Sequence, residues 1–168
     1  RLGSALHVIT EHIDYNAHTT PATVSDLIQA LINKNLLTPE DAAAIPQEKI
    51  VHLANSPLSA RIRKAAAQGK LYRETPFVLA LPAIQLYPEA PEEDTILVHG
   101  IIDCHFEEDG ALVLVDYKSD HITGTLENWA KNHKVQLDIY KQALSKATKM
   151  EVKETLLYSF SHGKTVNM

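Results

Sequence analysis

Residues 100–118 read GIIDCHFEEDGALVLVDYK, and the reading of this stretch decides the fold. On either side of Glu107-Glu108-Asp109-Gly110 runs an apolar, β-branched segment fit for a sheet interior, and the Asp-Gly step suits a tight hairpin. Asp103 and Asp116 interrupt those two apolar runs. An ionised carboxylate is costly to bury unless it is paired or binds a metal, so two of them on neighbouring strands need a reason. Across the hairpin they can face the same side. Lys118 joins them there, because a strand's period of two sends residues 116 and 118 to one face. Acidic oxygens with backbone carbonyls and waters suit Mg²⁺ or Mn²⁺. Such an ion would lower the pKa of a bound water and neutralise charge on a scissile phosphate. The ammonium of Lys118 could position or deprotonate that water, or stabilise the pentacovalent transition state. A salt bridge at a sheet end is the plainer reading of Asp-x-Lys taken alone.

Upstream, the first 70 residues carry helical spacing. Leu2, Leu6, Ile9 and Ile13 form one stripe; Val24, Leu27, Ile28, Leu31 and Ile32 form another. Thr38-Pro39 and Ser56-Pro57 place a cap before a proline at the first helical position, and Gly69 closes the last helix. After Lys70 the period changes to two. Strands are predicted over Leu71–Leu81, Ile96–Phe106 and Ala111–Tyr117, with a proline-rich loop from Pro82 to Asp94. Thr125–Lys149 returns to helical spacing, as a short helix ending near His133 and a longer one from Lys134; Leu156–Phe160 is the final predicted strand. Residues 1–168 are read as a single domain, with a helical part at 1–70 and an αβ core at 71–168.

At 168 residues, 45% apolar and 22% charged, the composition excludes disordered, collagen-like and disulfide-framework classes. No apolar run approaches the ~20 residues that span a bilayer, so no membrane is expected to be involved. The chain starts at Arg1 without the basic-then-apolar layout of a signal peptide, which predicts a cytoplasmic fragment of a longer protein. One cysteine, Cys104, allows neither an internal disulfide nor a cysteine-only metal site. The formal charge is −5, but Ala83–Asp116 holds a concentration of acids and no lysine or arginine. The remainder is net basic, so the total does not exclude a polyanionic partner.

Further residues extend the cluster. Glu74 lies on the preceding strand and could reach the aspartates. Gln136 and Tyr140 stand four apart, on one face of the following helix, where an amide and a phenol could hold a phosphate or orient the lysine. The small residues Gly3-Ser4-Ala5 would let the first helix approach another backbone closely enough for His7 to enter a site.

Taken in order, Gly3-Ser4-Ala5-Leu6-His7, Glu74-Thr75-Pro76-Phe77, Gly100-Ile101-Ile102-Asp103, Asp116-Tyr117-Lys118 and Gln136-Leu137-xx-Tyr140 resemble the RecB-type nuclease branch of the PD-(D/E)XK superfamily. Within it, they most resemble the AddA-type (RexA) C-terminal nuclease domains of bacterial ATP-dependent helicase–nucleases. The resemblance implies an α/β, restriction-endonuclease-like core in which a mixed sheet of about four strands is flanked by helices. It makes His7, Asp103, Asp116 and the Tyr117 carbonyl metal ligands for Mg²⁺ or Mn²⁺. Lys118 takes the catalytic lysine position, Glu74 the acidic strand position, and Gln136 and Tyr140 the supporting helix motif. Ser119 stands where threonine is common.

The implied activity is that of an exonuclease hydrolysing single-stranded DNA with a metal-activated water, in double-strand break repair and recombination. Its implied partners are helicase domains in the same full-length chain, which deliver the strand, and an AddB-type subunit. Arg61, Arg63, Lys64, Lys70, Arg73, Lys131, Lys134 and Lys141 would guide the DNA backbone, or else form a solvated helix face. No Gly-x-x-x-x-Gly-Lys-Ser/Thr is present: Tyr158 stands where His162-Gly163-Lys164-Thr165 would need its earlier glycine. The motor is therefore expected elsewhere. The alternatives are a non-catalytic DNA-binding or scaffolding module with a nuclease fold, and a hydrolase of small phosphoesters.

Overall fold

The computed structural model describes residues 2–168. Five helices come first: α1 (Leu2–His12), α2 (Pro21–Asn33), α3 (Pro39–Ala43), α4 (Gln47–Ala54) and α5 (Pro57–Ala67). Thr20, Thr38 and Ser56 each cap a helix by accepting a third-residue N–H, and each is followed by proline at the first position. The cap satisfies an otherwise orphaned donor, and proline loses nothing there because its missing N–H has no helical partner.

Strands β1 (Leu71–Pro82), β2 (Thr95–Glu108) and β3 (Ala111–Lys118) form an antiparallel meander. The β2–β3 loop is Asp109-Gly110, both left-handed at φ 53° and 78°, between the paired residues Glu108 and Ala111. That is the two-residue turn whose twist matches the flanking strands. The crossover helices α6 (Leu126–Lys131) and α7 (Lys134–Thr148) then bring β4 (Val152–Ser159) parallel to β3. A fifth strand, β5 (Lys164–Asn167), adds antiparallel to β4, so the mixed sheet runs β1-β2-β3-β4-β5. Sequence reading did not anticipate β5, which is four residues long, mostly exposed, and without an apolar run to mark it.

Alternation along β3 divides the core. Val113, Val115 and Tyr117 pack with Leu6, Ile9, Ile50, Leu53 and Ile62 of the helical layer, while Leu112 and Leu114 pack with Leu144 of α7. The β1–β2 ribbon does not keep one face. Cys104 and Phe106 belong to the helical layer, yet Ile102, of the same parity as Cys104, packs on the α7 side. The switch falls where pairing passes from Arg73↔Cys104 to Thr75↔Ile102, skipping Glu74 and Asp103; Glu74 is left-handed there, at φ 50°. The ribbon thus turns over at the acidic residues. Among the described residues, no helix is long and apolar enough to cross a membrane.

Candidate active site

The end of β3 gathers the residues of interest. Extending the Cys104↔Val115 register by one step puts Asp103 opposite Asp116, and the two carboxylates affect one another's ionisation. α1 reaches them because its start is small: a Cβ on Gly3 would lie 2.9 Å from Ser119 Oγ, just beyond Lys118. From α1, the Nε2 of His7 lies 3.0 Å from both Asp103 Oδ2 and the Tyr117 carbonyl oxygen. Both are acceptors, so Nε2–H is shared between them. Asp103 Oδ2 also accepts the Tyr117 N–H at 2.9 Å. The Asp103 hydrogen bond, working against burial, raises the His7 pKa to about 9. Burial pushes Asp103 upward, but the hydrogen bond and charge of His7 outweigh it and hold the carboxyl below its ordinary value. Asp116 is raised to about 7 by burial and the charge of Asp103, against the pull of Lys118.

Lys118 is fixed from the helix side. Its Nζ donates to Gln136 Oε1 at 2.9 Å, and Gln136 Nε2 donates to the Tyr140 phenol at 2.9 Å. Tyr140 sits edge-on to Phe77, with ring centres 5.3 Å apart, and Phe77 lies over Gly100, where a Cβ would come within 2.6 Å of the ring. The glycine of the Gly-Ile-Ile-Asp motif therefore makes room for the ring that backs the tyrosine. Glu74 is half-buried, and its pKa is raised by burial and then by Asp103 and Glu11, which places it beside the cluster.

Lys118 Nζ lies 3.0 Å from Asp116 Oδ2, an ion-pair distance, but outside hydrogen-bonding geometry; that oxygen is buried and has no hydrogen-bond donor. A buried carboxylate oxygen with an unused lone pair, beside a second carboxylate, an imidazole and a backbone carbonyl, suits a divalent cation. Among the described residues, no three His, Cys, Asp or Glu side chains already form a metal cage. His7 Nε2 stands 3.0 Å from Asp103 Oδ2 and from the Tyr117 carbonyl, a spacing that suits adjacent ligands of an octahedral ion, and it would have to give up its proton to hold one.

The arginines expected to guide DNA are engaged inside the fold instead. Arg61 makes a two-pronged pair with Glu108 at 2.9 and 2.8 Å and reaches Glu154 at 2.5 Å. Arg63 donates to the Ala54 carbonyl, and Arg73 to the Ile13 carbonyl at 2.6 Å; both guanidinium groups face the Tyr15 ring. Lys134 pairs with Asp138 at 2.8 Å, while Lys64, Lys70, Lys131 and Lys141 are exposed. A cavity of about 740 Å³ lies between α4, α5, β4 and β5 and is lined by none of the clustered residues. The chemistry of the cluster outweighs that volume as a guide.

Sequence reading missed one neighbour of Lys118. Asp120 Oδ2 accepts the Trp129 indole N–H at 2.5 Å and lies 3.7 Å from His133 Nε2; the Trp129 and His133 rings meet edge-on at 5.1 Å. The available signal was spacing, since His133 precedes Gln136 by three and shares its helix face.

Comparison with known proteins gives a consistent picture. A family profile described as the PD-(D/E)XK nuclease superfamily matches residues 1–167. The A-type subunit of the ATP-dependent helicase/nuclease of Ruminiclostridium cellulolyticum is 35% identical over 99% of this chain and 13% of its own length. The protein of the same name from Bacillus cereus is 35% identical over 99% of this chain and 14% of its own. The chain thus spans 13% to 14% of the length of these curated relatives. The crystal structure of SSO0001 aligns with a TM-score of 0.45 at 13% identity, covering 88% of this chain and 60% of that one.

Proposed function

This chain belongs to the PD-(D/E)XK nuclease superfamily, and from that premise we propose that it hydrolyses phosphodiester bonds of single-stranded DNA with a divalent metal ion, Mg²⁺ or Mn²⁺. The observation that carries the reading is the buried Asp116 carboxylate, facing Asp103 and paired at 3.0 Å with a lysine that Gln136 and Tyr140 hold in place. His7, Asp103, Asp116 and the Tyr117 carbonyl are the residues that would hold the ion. When bound, it supplies a Lewis acid for the phosphate and lowers the pKa of water. Lys118 contributes a fixed positive charge where negative charge develops on phosphorus. Its position depends on Gln136, whose amide oxygen is oriented by the bond its nitrogen makes to Tyr140. Glu74 contributes a further carboxylate beside the ligands. The exposed Lys64, Lys70, Lys131 and Lys141 are the lysines left to attract a polyanion.

The same reading takes residues 1–168 as one exonuclease domain of a longer cytoplasmic helicase–nuclease acting in double-strand break repair and recombination. Helicase domains of that chain would deliver the strand, and an AddB-type subunit would complete the complex. The name shared by the relatives supports the attachment to a helicase.

The test combines cleavage and metal uptake. Asp103→Ala and Asp116→Ala are each expected to abolish cutting of labelled single-stranded DNA in Mg²⁺ while leaving the circular dichroism spectrum unchanged; full activity in either overturns the proposal. The proton shared by His7 and Asp103, which an ion would have to displace, favours a second reading, a non-catalytic module of the same fold. Calorimetric titration of the chelator-treated protein with Mn²⁺ separates the two: heat of binding that disappears in Asp116→Ala belongs to the nuclease, and no uptake belongs to the module.

A further inference from the structure

We infer that His133, anchored by Asp120 and Trp129, is a binding residue for a backbone phosphate of the nucleic-acid strand next to Lys118, an inference that rests on the nuclease reading above. His133, Gln136 and Tyr140 are spaced by three and four, which places them within about 60° of arc on one helix face. Gln136 holds the Lys118 ammonium, so His133, three residues earlier on that face, lies on the side of α7 turned toward Lys118. Its side chain is 21% exposed, enough to meet a ligand while its orientation is set by packing.

That orientation is specified from two sides. The Trp129 ring backs the imidazole, Asp120 faces Nε2, and Asp120 is itself pinned by the indole N–H. Among the described residues Nδ1 has no hydrogen-bond partner, and the side chain makes no cap to α7, although His133 occupies the capping position. In the free protein, burial and Lys118 hold the ring below its ordinary pKa, with Asp120 opposing them. An arriving phosphate adds to the pull of Asp120 and favours the imidazolium, leaving Nδ1–H as a donor to a phosphate oxygen.

The need for such a group follows from the inventory of cations. Lys118 is committed to Gln136 and Asp116, and Arg61, Arg63 and Arg73 are used within the fold. His133 differs from them in that its ring is held in place by Trp129 and Asp120 while Nδ1 is left for a ligand.

The experiment measures both affinity and turnover. Fluorescence anisotropy of a labelled single-stranded oligonucleotide in Ca²⁺ is compared for the protein and for His133→Ala, His133→Gln and Asp120→Asn, with melting temperatures taken alongside. Loss of a charge-assisted hydrogen bond predicts about a tenfold weaker Kd for His133→Ala. Glutamine, which keeps a donor, should recover most of it, and Asp120→Asn should fall between. In Mg²⁺ the alanine variant should raise KM by a similar factor, with kcat within about threefold of the parent. An unchanged Kd, a defect in kcat alone, or a glutamine variant as weak as alanine at an unchanged melting temperature would overturn the assignment. Failure of the parent protein to bind or cut the oligonucleotide would instead overturn the nuclease reading, and this inference with it.

Discussion

At the scale of single residues, the site departs from what a stable interior would choose. Asp116 is nearly fully buried, carries an oxygen with no donor, and has its pKa raised to about 7 by burial and by Asp103. Sequence made this pair conspicuous, because an aspartate inside an apolar strand run has no packing explanation. It marked Glu74 as a further carboxylate but gave no warning of its left-handed backbone. A non-glycine residue in the left-handed region costs roughly 1 kcal/mol, and here it is a β1 carboxylate whose charge is further disfavoured by burial and Asp103. Glu74→Gly is therefore expected to stabilise the metal-free protein by about 1 kcal/mol. Thermal denaturation with chelator present checks this. A lower melting temperature would mean that the Glu74 side chain contributes more in packing than its backbone strain costs.

At the scale of elements, β2 shows why pattern and placement are separate questions. The strand predicted over Ile96–Phe106 falls within β2, but a strict period of two puts Ile102 and Cys104 on the same side, and the structure puts them on opposite sides. The switch arises from how β1 and β2 cross between two layers of helices, a long-range condition that no local window contains. The helix starts were legible because caps and prolines are local chemistry; β5 was not, because its identity comes from the edge of β4 that it joins. The same strand β2 yields a pH prediction. His105 is buried, stacks on Tyr72 at 4.9 Å, and has an Nδ1 without a partner. Burial lowers its pKa from 6.5 to about 4. Between those values the unfolded chain binds a proton that the folded chain does not, so stability is complete above about pH 6.5 and declines as pH falls toward 4. The loss amounts to roughly 3 kcal/mol. His105→Phe keeps the stacking and removes the proton, so urea titrations at pH 7 and pH 4.5 should show a smaller drop for the variant. Equal drops would assign the acid sensitivity to other groups.

At the scale of the whole molecule, net charge says little, because charge and apolar surface are both distributed unevenly. The acids counted in the formal −5 include Asp103 and Asp116 inside the site and Glu89, Glu92, Glu93 and Asp94 in the loop that joins β1 to β2. The ribbon leading to that loop is the opposite case. Its register sets Pro76 against Ile101, Val78 against His99 and Ala80 against Leu97, and this face carries no acid, lysine or arginine. Val78 is 61% exposed, Leu97 65% and Ile101 51%. β1 is also the edge of the sheet, and at 12 residues it is a long edge. Pro76 removes a donor from that edge, as natural edges often do, so the adhesive surface is the uncharged, apolar face of the ribbon. The 168-residue chain alone is therefore expected to self-associate at tens of micromolar, by size-exclusion chromatography with light scattering. Val78→Lys with Leu97→Lys should shift it toward monomer while changing the melting temperature little, since both side chains are already in water. If the parent chain is monomeric at those concentrations, the face is not adhesive and the exposed residues need no covering. If the double variant associates as strongly as the parent, the contact lies elsewhere on the surface, and the ribbon is not what brings the copies together.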